Sequence, residues 1–220
     1  MAIYAARGLC AAVYLIWTYQ TYNKIYPSFP CPEKNISEGP IKDFVTIRAQ
    51  AMGLKKELFV YAAHSHYCCV GSAFFQGKAG IGIDDADKID EACTQFMITH
   101  EIAHVKANDQ IICGLVPLVA SIFTTFLLTS IAPIAACAAG LAAGLLTFFF
   151  VFSWREKVAD ITAMQYSSDE VNRAVLEELE KLKKQENQFP PPLLSRVFDY
   201  FTGGPSLDQQ IRYFKAHIEA

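Results

Sequence analysis

His100-Glu101-Ile102-Ala103-His104 places two imidazoles and a carboxylate within five residues, inside an apolar stretch that carries Phe96, Met97, Ile98 and Val105. On a helix, positions i and i+4 share a face, so His100 and His104 can address one metal ion while Glu101 stands one residue round. Two histidine ligands and a third protein ligand leave zinc one coordination position for water. Zinc brings the pKa of such a water to about 7, and a neighbouring carboxylate can take its proton as it attacks a peptide carbonyl. Glu101 is the candidate for that base.

The third ligand is sought where another acidic pair has helical spacing. Ser153-Trp154-Arg155-Glu156-Lys157-Val158-Ala159-Asp160 puts Glu156 and Asp160 at i and i+4, so both carboxylates project from one helix face. One can ligate, and the other can accept a hydrogen bond from the free ring nitrogen of a ligating histidine, which fixes its tautomer. Two other constellations compete. His64, His66 and Cys68 would share one face of a strand, but residues 64–69 read better as a turn. Asp84, Asp85, Asp87 and Asp90 lack the glycine and terminal glutamate of a calcium loop, and read as a solvated loop and helix start.

The elements that must carry these residues are set by an unusual composition. Of 220 residues, 52% are hydrophobic and 19% charged, against roughly 25% charged in ordinary soluble domains. No Asp, Glu, Lys or Arg occurs in the 45 residues between Asp109 and Arg155. About 20 apolar residues cross a bilayer, so the run is long enough for two spans. Ser130-Ile131-Ala132-Pro133 is its natural break, which predicts a helical hairpin over 111–129 and 133–153. Gly140 and Gly144 add a small-xxx-small pattern that lets helices approach closely. A further apolar run behind Arg7, followed by Tyr19, Tyr22 and Tyr26, predicts an N-terminal membrane helix over 1–22. A hairpin returns the chain to its starting side, so the polar segments share one compartment. Lys106, Arg155 and Lys157 flank the hairpin, which puts that compartment in the cytoplasm. Seven cysteines without a Cys-x-x-Cys pair suggest a reducing environment. The net charge of −3, without a basic cluster, argues against nucleic acid as a partner.

Over most of residues 57–219 the sequence resembles the HtpX-type membrane zinc endopeptidases, which are related to the CAAX prenyl proteases. That family sets HExxH before a transmembrane hairpin and an Arg-Glu-x-x-Ala-Asp run just after it, matched here by Arg155, Glu156, Ala159 and Asp160. Asn108-Asp109 also matches a pair that tends to follow the second histidine. The resemblance implies His100, His104 and Glu156 as zinc ligands, Glu101 as the base and Asp160 as support behind them. It further implies an edge strand, among segments 58–62, 72–74 and 79–83, that holds an extended substrate. Three positions depart from the pattern. Ser72 stands where an asparagine is usual, Gly204-Pro205 replaces a His-Pro pair, and Gln210 precedes Ile211 where the family has arginine. Arg212 and His217 are then the candidates for a cation that stabilises the oxyanion.

The expectation is an α+β, zincin-like catalytic body built from 23–110 and 154–220 and interrupted by a transmembrane hairpin over 111–153. Its function would be zinc-dependent hydrolysis of peptide bonds in unfolded or membrane proteins, at the cytoplasmic face of a lipid bilayer. A non-catalytic zinc-binding membrane scaffold is the alternative. A prenyl-protein protease is a narrower one, for which the chain has few spans. An amphipathic helix is expected over 169–187, and a capping box at Ser206 and Gln209 is expected to open a last helix.

Overall fold

The computed structural model describes residues 36–55, 58–62, 70–73, 78–83, 91–188 and 204–219. The expected N-terminal membrane helix, the His64, His66 and Cys68 group, and the acidic run 84–90 lie outside the described residues. In chain order the elements are α1 (Pro40–Ala51), β1 (Leu58–Ala62), β2 (Val70–Ala73), β3 (Lys78–Ile83), α2 (Ala92–Ala107), α3 (Asp109–Leu128), α4 (Pro133–Tyr166), α5 (Asp169–Gln188) and α6 (Leu207–Ile218). The described residues are predominantly helical with one small sheet, and the chain divides into two compact units.

The first unit contains residues 109–152. Its two helices are long and apolar enough to cross a membrane, with mean hydropathies of 2.4 over Ile111–Leu128 and 2.2 within Ile134–Tyr166. Their large side chains face outward, Phe123 at 61% exposure and Phe150 at 74%. A core helix of a soluble protein would bury such residues, so the exposure fits a lipid-facing surface. The polar groups turn inward. Ser121 and Thr125 on α3 and Thr129 just after it are buried; the Thr125 hydroxyl donates to the Ser121 carbonyl at 2.9 Å, and that of Thr129 donates to the Thr125 carbonyl. Gly140 of α4 lies against this stripe, where a Cβ would come within 2.8 Å of the Ser121 carbonyl oxygen and closer still to Thr125 Oγ1.

The second unit contains the described residues of 36–108 and 153–219. Its sheet has the order β1-β3-β2, with β1 parallel and β2 antiparallel to β3. Parallel pairing of β1 with β3 needs a crossover, and β2 lies between them in sequence. The outward carbonyls of β1 are taken: Val60 accepts from the Ile36 amide and Leu58 from Lys42 Nζ, both at 2.7 Å. α2 is apolar on nearly all sides, as a helix buried between two layers must be. On one side Ile98, Ile102 and Val105 pack with Val45 and Met52 of α1, Leu58 and Val60 of β1, and Ile81 of β3. On the other, Phe96 joins Ala163 and Met164 of α4, Val175 of α5 and Phe214 of α6. Ile98 and Ile102 have no exposed surface, and truncating either to alanine costs about 2–5 kcal/mol by loss of burial and creation of a cavity. α6 packs on α5 and is tied to it at the surface by Lys215–Glu180 at 2.7 Å and Lys183–Asp208 at 3.0 Å.

The second hairpin helix does not stop at Ser153. It runs on through Glu156 and Asp160 to Tyr166, 34 residues in all, since no proline or glycine after Gly144 interrupts the pattern. α2, by contrast, ends before the hairpin. Asn108 adopts the left-handed conformation with φ of 53°, its amide donating to the Val105 carbonyl at 3.2 Å, and α3 starts at the next residue. Asparagine tolerates that backbone better than other side chains with a Cβ.

Candidate metal centre

Two helices supply the centre, α2 its histidines and α4 its carboxylates. Ala159 and Ala163 lie on the face of α4 that also carries Glu156 and Asp160, and both are buried. The histidines of α2 reach both carboxylates of α4. The Nε2 atoms of His100 and His104 stand 2.9 Å apart, their rings edge to face at 80°. Glu156 closes the group, with Oε2 3.3 Å from His100 Nε2 and Oε1 3.4 Å from His104 Nε2. His100, His104 and Glu156 thus form a group that can hold a metal ion.

The spacing fits a small tetrahedral ion. With ligand bonds of about 2.0–2.1 Å, the edges of a zinc tetrahedron are roughly 3.3 Å. The two histidine–glutamate separations match that value, and the two nitrogens are slightly closer. Two imidazoles and one carboxylate are also the donor types that suit zinc and neighbouring transition metals. Three ligands leave the fourth position for another group.

Behind the ligands, His100 Nδ1 donates to Asp160 Oδ1 at 2.8 Å. That bond commits the Nδ1 proton to Asp160, so that in the neutral ring Nε2 is the nitrogen left to ligate. Asp160 is itself buried, and its other oxygen is occupied as well: Gln210 Nε2 donates to Oδ2 at 3.2 Å, and the Tyr213 hydroxyl donates to the same atom. Burial disfavours a charge on His100, but its hydrogen bonds to Asp160 and Glu156 prevail and hold its pKa well above the ordinary histidine value. Burial pushes Glu101 up to about 7, with His100 and His104 pulling it down and Glu156 pushing it up. A carboxylate with that value is poised as a base near neutrality. Burial and the nearby Asp160 charge raise the Tyr213 phenol, which therefore stays a donor.

Of the residues singled out from the sequence, His100, His104, Glu156 and Asp160 come together, and Glu101 lies within their electrostatic reach. Arg212 and His217 are exposed on α6, and Arg212 Nε donates to the Asp208 carbonyl of its own helix at 3.2 Å. From α6 it is instead Gln210 and Tyr213 that touch the cluster. The sequence marks Gln210 only as a departure from the family pattern and does not single out Tyr213, although the two are three residues apart and share a helix face. Gly204 is a further contributor: a Cβ there would stand 3.1 Å from Glu156 Cβ. Comparison with protein-family models, curated protein sequences and solved structures finds no match to this chain.

Proposed function

We propose that the protein is a membrane-bound zinc endopeptidase with a zincin-like catalytic body, of the HtpX type that its motifs resemble. The observation that carries this reading is the convergence of His100, His104 and Glu156, with Asp160 behind His100 and Glu101 beside it. His100, His104 and Glu156 would hold the ion. When bound, zinc lowers the pKa of a coordinated water and polarises a carbonyl oxygen. Asp160 keeps the His100 proton on Nδ1 and so keeps Nε2 free for ligation. Glu101 accepts a proton from the attacking water at a carboxylate oxygen, and passes it to the amide nitrogen as the C–N bond breaks. That shuttle suits a carboxylate whose pKa is near 7.

Substrate would lie extended along β2. It is an outer strand of the sheet and packs on α2, whereas the outward carbonyls of Leu58 and Val60 on β1 already have donors. Strand addition binds main chain with little demand on side chains, which suits unfolded or membrane-protein segments. The two apolar helices support a place in a lipid bilayer, and Lys106, Arg155 and Lys157 beside them support a cytoplasmic body.

The test is cleavage of an unfolded protein such as casein by the purified protein in detergent. Zinc-dependent turnover should be lost on chelation, restored by zinc, and lowered at least ~100-fold in Glu101→Gln with zinc content unchanged. Zinc binding without cleavage would point instead to a non-catalytic scaffold.

A further inference from the structure

The carboxylate behind the ligands is gripped at both oxygens, and half of the grip comes from a helix that the HExxH motif does not involve. Asp160 Oδ1 faces His100, while Oδ2 accepts from Gln210 and Tyr213 of α6. The terminal torsion of an aspartate is broad, so a carboxylate bonded at one oxygen can swing. Bonded at both, it presents one oxygen to His100 at a fixed angle.

We propose that Tyr213, assisted by Gln210, is a positioning residue that sets the affinity of the His100–His104–Glu156 site for its divalent ion by immobilising Asp160. The proposal rests on the metal-site half of the function given above and not on peptide hydrolysis.

Three features hold Tyr213 for this task. Its ring stacks on Phe214, with centroids 5.8 Å apart at 29°. Phe214 is buried against Phe96 of α2 at 5.3 Å, so the phenol is referenced to the helix that carries the histidines. The start of α6 is fixed by a reciprocal capping box, in which Ser206 Oγ accepts from the Gln209 amide and Gln209 Oε1 from the Ser206 amide. Gln210 precedes Tyr213 by three residues, and its amide reaches the same Asp160 oxygen. Removing the phenol hydroxyl leaves Oδ2 with one donor, frees the carboxylate to turn and relaxes the His100 tautomer. Every donor of the site survives, yet the nitrogen lone pair is presented for less of the time.

The experiment uses the full chain in detergent, stripped of metal and titrated with Co²⁺ and Zn²⁺ against a chromophoric chelator. Tyr213→Phe keeps the ring and its stacking. It should weaken binding of both ions about tenfold, the lower end of outer-shell effects, and shift the cobalt d–d bands. Asp160→Asn should lose at least as much. The double variant should bind no more weakly than Asp160→Asn alone, because both changes act through one carboxylate. Gln210→Met, an independent variant of similar volume, should show a smaller loss of the same sign. Wild-type affinity in Tyr213→Phe, or losses that add in the double variant, overturns the proposal while the metal site stands. If the wild-type protein binds neither ion, or His100→Ala binds them equally well, the metal site itself fails and the positioning role falls with it.

Discussion

Gly204 lies against the stem of Glu156: a Cβ on the glycine would stand 3.1 Å from Glu156 Cβ and 3.3 Å from Cγ. The two residues are far apart in sequence, yet Gly204, just ahead of α6, lies against the glutamate. The fit is tight but not closed. Gly204→Ala asks the stem to yield by a few tenths of an ångström, and should leave zinc affinity within about threefold of wild type. Gly204→Val has no such room and should displace the carboxylate, with a loss of roughly tenfold or more by the same chelator competition.

Glu156→Ala removes the only carboxylate among the three residues that can hold the ion. Zinc bound per chain, measured by atomic absorption after dialysis against micromolar zinc, should fall from near one to a small fraction. Glu156→Gln keeps the volume but not the charge and should fall almost as far. Full stoichiometry in Glu156→Ala excludes the residue from the site.

Glu101 couples the metal-free protein's stability to pH. Its folded pKa, near 7, lies above the ordinary 4.5, so the folded chain takes up a proton between those values that the unfolded chain does not. Stability from this group is therefore fully present below about pH 4.5 and is lost as pH rises through 7. Glu101→Gln removes the burial of that charge. Differential scanning fluorimetry of the metal-free variant should show a melting midpoint roughly 5 °C above wild type at pH 8 and little difference at pH 4.5. A residue that chemistry retains at a cost in stability is expected to behave in this way; equal midpoints at pH 8 would refute it.

Gly140 makes the close approach within the apolar pair of helices. Any side chain there meets the Ser121 carbonyl and the Thr125 hydroxyl, the former being backbone that cannot rotate away. Gly140→Val should separate the helices and lower the melting midpoint by several degrees in detergent, whereas Gly144→Val is the comparison that tests whether the effect belongs to this contact.

Much of the site could be read from the sequence because it is written in local spacing. His100 and His104, and then Glu156 and Asp160, are i,i+4 pairs, and the charge-free run between them marks the apolar helices without any tertiary knowledge. The capping box at Ser206 is local in the same sense and is present as expected. What could not be read depends on contacts between distant segments. Arg212 and His217 were chosen for charge, but α6 presents to Asp160 the amide of Gln210 and the phenol of Tyr213, and Arg212 lies about 160° round the helix from Gln210. No spacing rule links residues fifty positions apart. The parallel pairing of β1 with β3 was hidden for the same reason, since neighbouring strands in sequence more often pair directly. The absence of a helix end at Ser153 was hidden too, because a change from apolar to charged residues alters the surroundings of a helix and not its backbone propensity.

The order of the ligands along the chain also sets a timetable. A ribosome delivers both imidazoles more than fifty residues before their carboxylate partner, with the whole greasy stretch in between, and the α6 donors arrive last of all. A nascent polypeptide therefore carries two of the three donors until its apolar portion has been synthesised. An ion held by all three residues can be captured only after that portion has been made, and a stalled or clipped product that ends before Glu156 lacks the carboxylate.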